Sequence, residues 1–413
     1  MKAILKLLFS FLSISALNKI VPILTIPILT DKLGFEKYGI YVFVLALVGF
    51  IETIINLGFK VTAVNQLSRL KSAKEENELF LNVFYAKILI STLIFTMMGI
   101  LYFFPINENF IYVWMCSPLI LGFTINQDWF FHAKKDMLAV TSITFLNRII
   151  YLISIFLFVE NSSDLNLVLL LFSFGFFFQS LITSGLLIKK YKIKLYLYFG
   201  FRSVFIEIKN GFYFFLASLS SYFYSNFNYI ILGSHYNLNI VGLYAIVDKV
   251  CNGLRELAVP LNNSIFPFLS EKRENDRKLY ERWSLKYIVF LFFFFSFISV
   301  VVLISNQYIM EFFNVENSDT PMVTKLFYIL PLGIPIHVLS SFLGFKYVID
   351  KNDKKLFQIT FIGSIISVCV LWATSLYFSI YSFALIYVCV LLLLFALLFF
   401  NIPDLKFFKN ETT

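Results

Sequence analysis

Apolar residues run along this chain in blocks of twenty or more, separated by short polar or charged stretches. A helix rises 1.5 Å per residue, so about 20 apolar residues cross the hydrocarbon core of a bilayer. Blocks and breakers predict twelve spans, roughly 4–30, 38–59, 79–104, 110–131, 138–159, 165–188, 205–233, 240–268, 284–305, 322–349, 355–378 and 381–401. None of these blocks alternates apolar with polar residues, as the strands of a membrane barrel do, so the spans are helical. The basic residues agree with the count. Connections that follow odd-numbered spans are nearly bare of Lys and Arg: NLNI, NSSDLN and FSIYS carry none, and the 31–37 loop has only Lys32 and Lys37. Connections that follow even-numbered spans are loaded with them, as at Lys189, Lys190, Lys192, Lys194 and Arg202. Short cytoplasmic loops are enriched in these residues, which predicts both termini on the cytoplasmic side.

One block departs from the pattern. From Ile240 to Ser270 the chain is mostly apolar, yet it carries Asp248, Lys249, Arg255 and Glu256. Leu243, Ile246, Val250, Leu254, Leu257 and Leu261 recur at spacings of three and four, which predicts one continuous apolar face. Asp248, Asn252, Arg255 and Asn263 fall on the other face, flanked by Lys249 and Glu256. A charge at the centre of a span costs about 2.5–3.5 kcal/mol on insertion scales, so this face is expected to turn from lipid towards a watery cavity. A second reading stays open, in which Asp248 with Arg255, or Lys249 with Glu256, are ion pairs that hold helices together.

The two halves of the chain echo each other. LGFEKYGIYVF follows the first span and LGSHYNLNIVGLYAI follows the seventh, each opening its next helix with Gly, an aliphatic residue and Tyr. Six spans return a chain to its starting side, so the repeats are parallel. They predict a bundle over 1–200 and another over 201–413. Glu52 stands thirteen residues after Gly39, as Arg255 stands thirteen after Gly242, which makes the acid of span 2 the counterpart of the base of span 8. Its expected partners are Lys19 and Arg255. Stripes at helical spacing mark span 1 (Ser15, Asn18, Pro22, Thr25, with Lys19 beside them) and span 7 (Ser218, Ser221, Ser225, Asn228), whereas span 12 is nearly unbroken Leu and Phe and reads as a lipid-facing support. The expected fold is therefore an all-α integral membrane protein, with twelve transmembrane helices in two six-helix bundles around a central polar cavity.

Composition narrows the function. Of 413 residues, 59% are hydrophobic and only 14% charged, against about 25% charged in soluble domains. The net charge of +9 sits in the connections and is no sign of nucleic acid. Four scattered cysteines match no disulfide or metal spacing. No phosphate loop, zinc cluster or nucleophile elbow appears, and no loop is large enough for a catalytic domain, so a carrier is expected rather than an enzyme, with no cofactor. Its substrate has to explain the bases in or near spans: Lys19, Lys60, Lys87, Arg148, Lys249 and Arg255. Lys60 and Lys87 lie near enough to the cytoplasmic side to snorkel, and count for less. Asn228 and Asn252 join Arg255, Lys249, Lys19 and Arg148 as candidate substrate contacts. Glu52, Asp248 and Glu256 are candidate charge partners or coupling groups.

NKIVPILTIPILTDKLGFEKYGIYVF, with its prolines in span 1, resembles the Wzx-type O-antigen and polysaccharide flippases of the multidrug/oligosaccharidyl-lipid/polysaccharide exporter superfamily. QDWFFHAKKDM resembles that family's Trp-Phe-Phe-Gln-Gly stretch, with His132 and Ala133 in place of the usual Gln and Gly. NFNYIILGSHYNLNIVGLYAIVDKV resembles its seventh-to-eighth span signature. The resemblance implies alternating access in the bacterial cytoplasmic (inner) membrane and an undecaprenyl-pyrophosphate-linked oligosaccharide as substrate. It further implies H+ or Na+ coupling, and a polysaccharide polymerase with chain-length machinery as partners. Arg would grip the pyrophosphate through two hydrogen bonds and Lys would act as a point charge. The alternatives are a multidrug extruder of the same superfamily, which would favour an acidic, aromatic cavity, and a membrane glycan polymerase.

Overall fold

The computed structural model describes the backbone of residues 2–103, 109–196 and 200–402, with side chains described for Val21 and from residue 23 onward. No strand occurs among the described residues. In hydrocarbon every backbone N–H and C=O must find its partner within the chain, which a helix achieves alone. The chain divides into two compact units, Met1–Tyr222 and Phe223–Thr413.

In the first unit, α1 (Lys2–Asn56) contains both of the first two expected spans, joined through Gly34 at φ 73° and ψ 166°. An L side chain is strained at that φ, and Gly is not. Gly58, also left-handed at φ 76°, starts α2 (Phe59–Leu67), and α3 (Ala73–Tyr102) follows. The fourth expected span is broken into α4 (Phe110–Met115), α5 (Ser117–Ile125) and α6 (Asp128–Ala133). Pro118 sits in the first turn of α5, where a missing N–H costs nothing, and the extended backbone of Asn126 ends it. The helices α7 (Leu138–Phe158) and α8 (Leu165–Tyr191) complete the set, and α9 (Phe201–Ser225) runs across the dividing point. Lys32 caps α7, donating to the carbonyls of Phe156 at 2.9 Å and of Val159. Gly58 and Gly211 let α9 pass so near α1 and α2 that a Cβ on Gly211 would collide with the Leu57 carbonyl oxygen.

In the second unit, α10 (Phe227–His235) and α11 (Leu238–Arg255) are joined by a turn in which Asn237 accepts the Asn239 N–H at 2.9 Å. The eighth expected span stops at Arg255 and resumes as α12 (Ala258–Asn275). After it come α13 (Arg277–Ile304), α14 (Asn306–Phe312) and α15 (Thr320–Ile329). A 3₁₀ turn through Pro331 leads into α16 (Gly333–Ile349), followed by α17 (Asp353–Tyr377) and α18 (Ile380–Phe400). The helix α18 turns Leu385, Leu392 and Leu393 outward and buries Phe383, Ala384, Tyr387 and Leu391 against α16 and α17.

Eight helical stretches among the described residues are long and apolar enough to cross a membrane. One of them, Ile23–Leu67, covers most of the first two expected spans, while the broken stretches over 110–131, 205–233 and 240–268 do not qualify. Hydropathy sees composition and is blind to the backbone turns at Asn226, Glu256 and Leu257.

Candidate functional site: a buried guanidinium and a polar cleft

The charged face of α11 turns inward. Asp248 is fully buried and Arg255 is 4% exposed, so these two pack within unit 2, while Lys249 and Asn252 are half-buried and Asn263 is exposed. The expected apolar face is interrupted too: Leu257 lies past the end of α11 and is exposed. One Asp248 oxygen, Oδ2, accepts from the Tyr229 hydroxyl at 2.5 Å and from Asn252 Nδ2 at 2.9 Å. The other, Oδ1, has no hydrogen-bond partner and stands 3.8 Å from Arg255 Nη1. That nitrogen donates to Asn252 Oδ1 at 2.8 Å and to the Tyr387 hydroxyl at 3.3 Å.

The remaining donors of Arg255, Nε and Nη2, are buried without acceptors. Gly333 leaves room for them, since a Cβ there would lie 3.2 Å from Nη2. His337, on the same helix as Gly333, has its Nδ1 buried and unpartnered. Asn228 donates to the Tyr244 hydroxyl at 3.3 Å, and Lys249 lies over the Tyr229 ring at 5.1 Å. Unit 2 thus gathers Arg255, Asp248, Asn252, Lys249 and Asn228 about the two tyrosines of α10 and α11. Tyr387, Gly333 and His337 carried no mark in the sequence, because their spans read as plain apolar blocks.

A second polar site lies in unit 1. A small cleft opens between the end of α1, α2, α3, α5 and α6. Lys87 does not snorkel as expected; it is 2% exposed and donates to the carbonyls of Asn126 at 2.7 Å and Phe123 at 3.4 Å. Because α5 ends at Ile125, its last carbonyls lie at the depth of Lys87, and a cation is favourable at a helix C-terminus. Glu52 Oε1 accepts from Asn56 at 3.2 Å and from Lys60 at 3.5 Å. Lys60 is therefore a partner of Glu52 that the repeat did not suggest. Lys19 lies outside the residues whose side chains are described. Asp128 is tied to Asn126 by its own N–H at 2.8 Å and through Oδ2 at 3.0 Å, while Oδ1 is buried without a partner. Trp129 is fixed by its Nε1 donating to Gln127 at 2.6 Å. Arg148, part-buried on α7, does not line this cleft, and Glu256 is exposed beyond the end of α11.

Residues 4–273 match the family described as "Polysaccharide biosynthesis protein". The chain belongs to that family. Two relatives named as O-antigen transporters agree with the assignment. One, from Shigella dysenteriae, is 24% identical over 277 residues, 66% of this chain and 69% of that protein. The other, from Escherichia coli (strain K12), is 27% identical over 259 residues, 61% of each chain. Among solved structures, the lipid II flippase MurJ in an inward closed conformation superposes with a TM-score of 0.74 at 17% identity, covering 95% of this chain and 87% of that one. An inward-facing multidrug resistance MATE family transporter gives 0.62 at 13% identity, covering 92% and 96%. These likenesses establish the fold: an all-helical membrane protein of the kind these transporters share.

Proposed function

We propose that this protein is a flippase that carries a polyprenyl-pyrophosphate-linked oligosaccharide across the bacterial cytoplasmic membrane by alternating access, for assembly of a surface polysaccharide. Membership of the polysaccharide biosynthesis family and similarity to proteins named as O-antigen transporters support the class. The observation that carries the reading onto this chain is Arg255, whose Nε and Nη2 donors are buried at span depth without acceptors. A guanidinium with two neighbouring donors to spare suits a phosphate, which accepts two parallel hydrogen bonds. Asp248 and Tyr387 hold its Nη1 edge and leave that fork for the substrate. Movement is coupled to H+ or Na+, the termini lie in the cytoplasm, and a polymerase receives the flipped unit.

The test is reconstitution of the purified protein in liposomes with a fluorescent lipid-linked oligosaccharide, scored by its protection from a membrane-impermeant quencher. Wild type should flip it, Arg255→Ala should not, and Arg255→Lys should recover only part of the rate because the fork is lost. Wild-type flipping by Arg255→Ala would remove Arg255 from the site. Export of an organic cation with no movement of the lipid-linked glycan would overturn the flippase reading.

A further inference from the structure

The cleft of unit 1 takes no part in holding Arg255, yet it collects features the sequence had singled out separately. Glu52 forms one wall, and the Gln127–Met137 segment supplies another through Asp128 and Trp129. Its charges balance, with two carboxylates and two ammonium groups around it. We infer that this cleft is a subsite for the hydroxyl groups of one sugar ring, met at the end of unit 1 that carries the basic connections. The sugar's source, the glycan head of the transported lipid, rests on the flippase reading.

The lining chemistry excludes the simpler ligands. A metal cation would seek the Phe123 and Asn126 carbonyls, but the ammonium of Lys87 already fills that cage. A phosphate would face the carboxylates of Glu52 and Asp128 at close range. A hydroxyl both donates and accepts, and the cleft offers both functions unfilled. Asp128 Oδ1 is a buried acceptor with no donor. Glu52 spends one oxygen, Oε1, on both Asn56 and Lys60, which leaves Oε2. Lys87 has three N–H groups and two carbonyl acceptors. Phe59, Phe123 and Trp129 supply apolar wall for the C–H side of a ring. The enclosed space admits only one or two water-sized groups, so the cleft reads one edge of a sugar and not a whole residue. The groups are held in advance: Asp128 by Asn126, Trp129 by Gln127 and Lys87 by α5. Recognition by fixed groups in a small space confers selectivity more than affinity, because a polar site left unfilled by the wrong sugar costs more than the right one gains.

The experiment is saturation-transfer NMR on the full-length protein in nanodiscs. The probes are methyl glycosides of a hexose, an N-acetylhexosamine and a 6-deoxyhexose at millimolar concentration, with cyclohexylmethanol as the control of similar size. At least one glycoside should receive saturation where the control does not. Asp128→Asn, or Glu52→Gln should the first variant fail to fold, should weaken it roughly tenfold, the loss of one charge-assisted hydrogen bond. No transfer to any glycoside, or equal transfer with both variants, overturns the inference, as does displacement of the glycoside by millimolar sodium or phosphate. Flipping is measured in liposomes reconstituted from the same purified proteins. Flipping without glycoside binding removes the subsite alone; variant-sensitive glycoside binding without flipping keeps the subsite and removes the flippase reading.

Discussion

Asp248 lies closer to a phenol than to the arginine beside it: the Tyr229 hydroxyl donates to it at 2.5 Å, whereas Arg255 Nη1 stands 3.8 Å away. The carboxylate therefore has one oxygen bound by neutral donors and one facing a cation. Removing one partner of a buried pair leaves an uncompensated charge, at a cost of about 3–5 kcal/mol. Asp248→Ala should lower stability by that order and Tyr229→Phe by about 1–3 kcal/mol, as one hydrogen bond to a charged group is lost. Thermal unfolding in detergent micelles measures both, and wild-type stability of Tyr229→Phe would show that the tyrosine carries no share.

Lys87 and Lys60 line the same cleft but are bound to it differently. Lys87 is buried on α5 carbonyls, while the side chain of Lys60 is 66% exposed at 3.5 Å from Glu52. Lys87→Met should cost about 1–3 kcal/mol by orphaning buried acceptors. Lys60→Ala should stay within about 0.5 kcal/mol, as exposed ion pairs usually do. Unfolding midpoints in the same detergent decide the order.

Gly58 and Gly211 form a backbone crossing that no side chain fits. A Cβ on Gly58 would meet the Gly211 carbonyl oxygen at 2.6 Å, on a residue already at φ +76°. Gly58→Ala and Gly211→Ala should each destabilise by roughly 1–3 kcal/mol through overpacking. Gly99, on α3 with open space around its would-be Cβ, is the contrast. Gly99→Ala should stabilise by about 0.5–1 kcal/mol, the helix-propensity difference. The yield of monodisperse protein and its unfolding temperature report both directions.

The long apolar helices were legible in the sequence because lipid demands them; the interruptions of the other stretches were not. A break at Asn226 or Glu256 is a backbone event that leaves composition unchanged, and a helix-wheel drawn through it places Leu257 and Leu261 on a face that does not exist. Lys87 was misjudged for a related reason. Its depth was reckoned from the end of its own span, whereas what keeps it buried is the early end of another helix. The inner polar face of α11 was visible from spacing alone. Its partners Tyr229 and Tyr387 were not, because aromatic residues are common throughout the chain and nothing local distinguishes a tyrosine that binds a carboxylate.

Asp136, in the turn between α6 and α7, gives a pH signature outside the spans. The Lys190 ammonium and the Tyr191 hydroxyl bond to its Oδ2, and the lysine first holds its carboxyl below the usual carboxylate range. A carboxylate with a depressed folded pKa contributes stability above its unfolded value, near 3.9, and loses it as pH falls through the folded value. Wild type should therefore lose stability from about pH 5 downward more steeply than Asp136→Asn. The difference should be small, since the Lys190 side chain is 56% exposed and water screens the pair. Unfolding temperatures across that acid range, compared between the two proteins, measure it.

The turn between α11 and α12 divides one polar stretch into two levers. An unbroken helix is a rod that passes a tilt from one end to the other, and this chain softens that rod beside its buried guanidinium. The upper lever is clamped at Asp248 and Arg255 by the phenols of Tyr229 and Tyr387. The lower lever carries Pro267 and ends where Arg273 grips Asp350 at 3.0 Å. The turn keeps Glu256 and Leu257 in the right-handed helical region and bridges them with hydrogen bonds from Leu257 to Leu254 and from Val259 to Glu256. A tilt arriving at Arg273 therefore meets a soft joint, its backbone still connected, before it reaches Arg255.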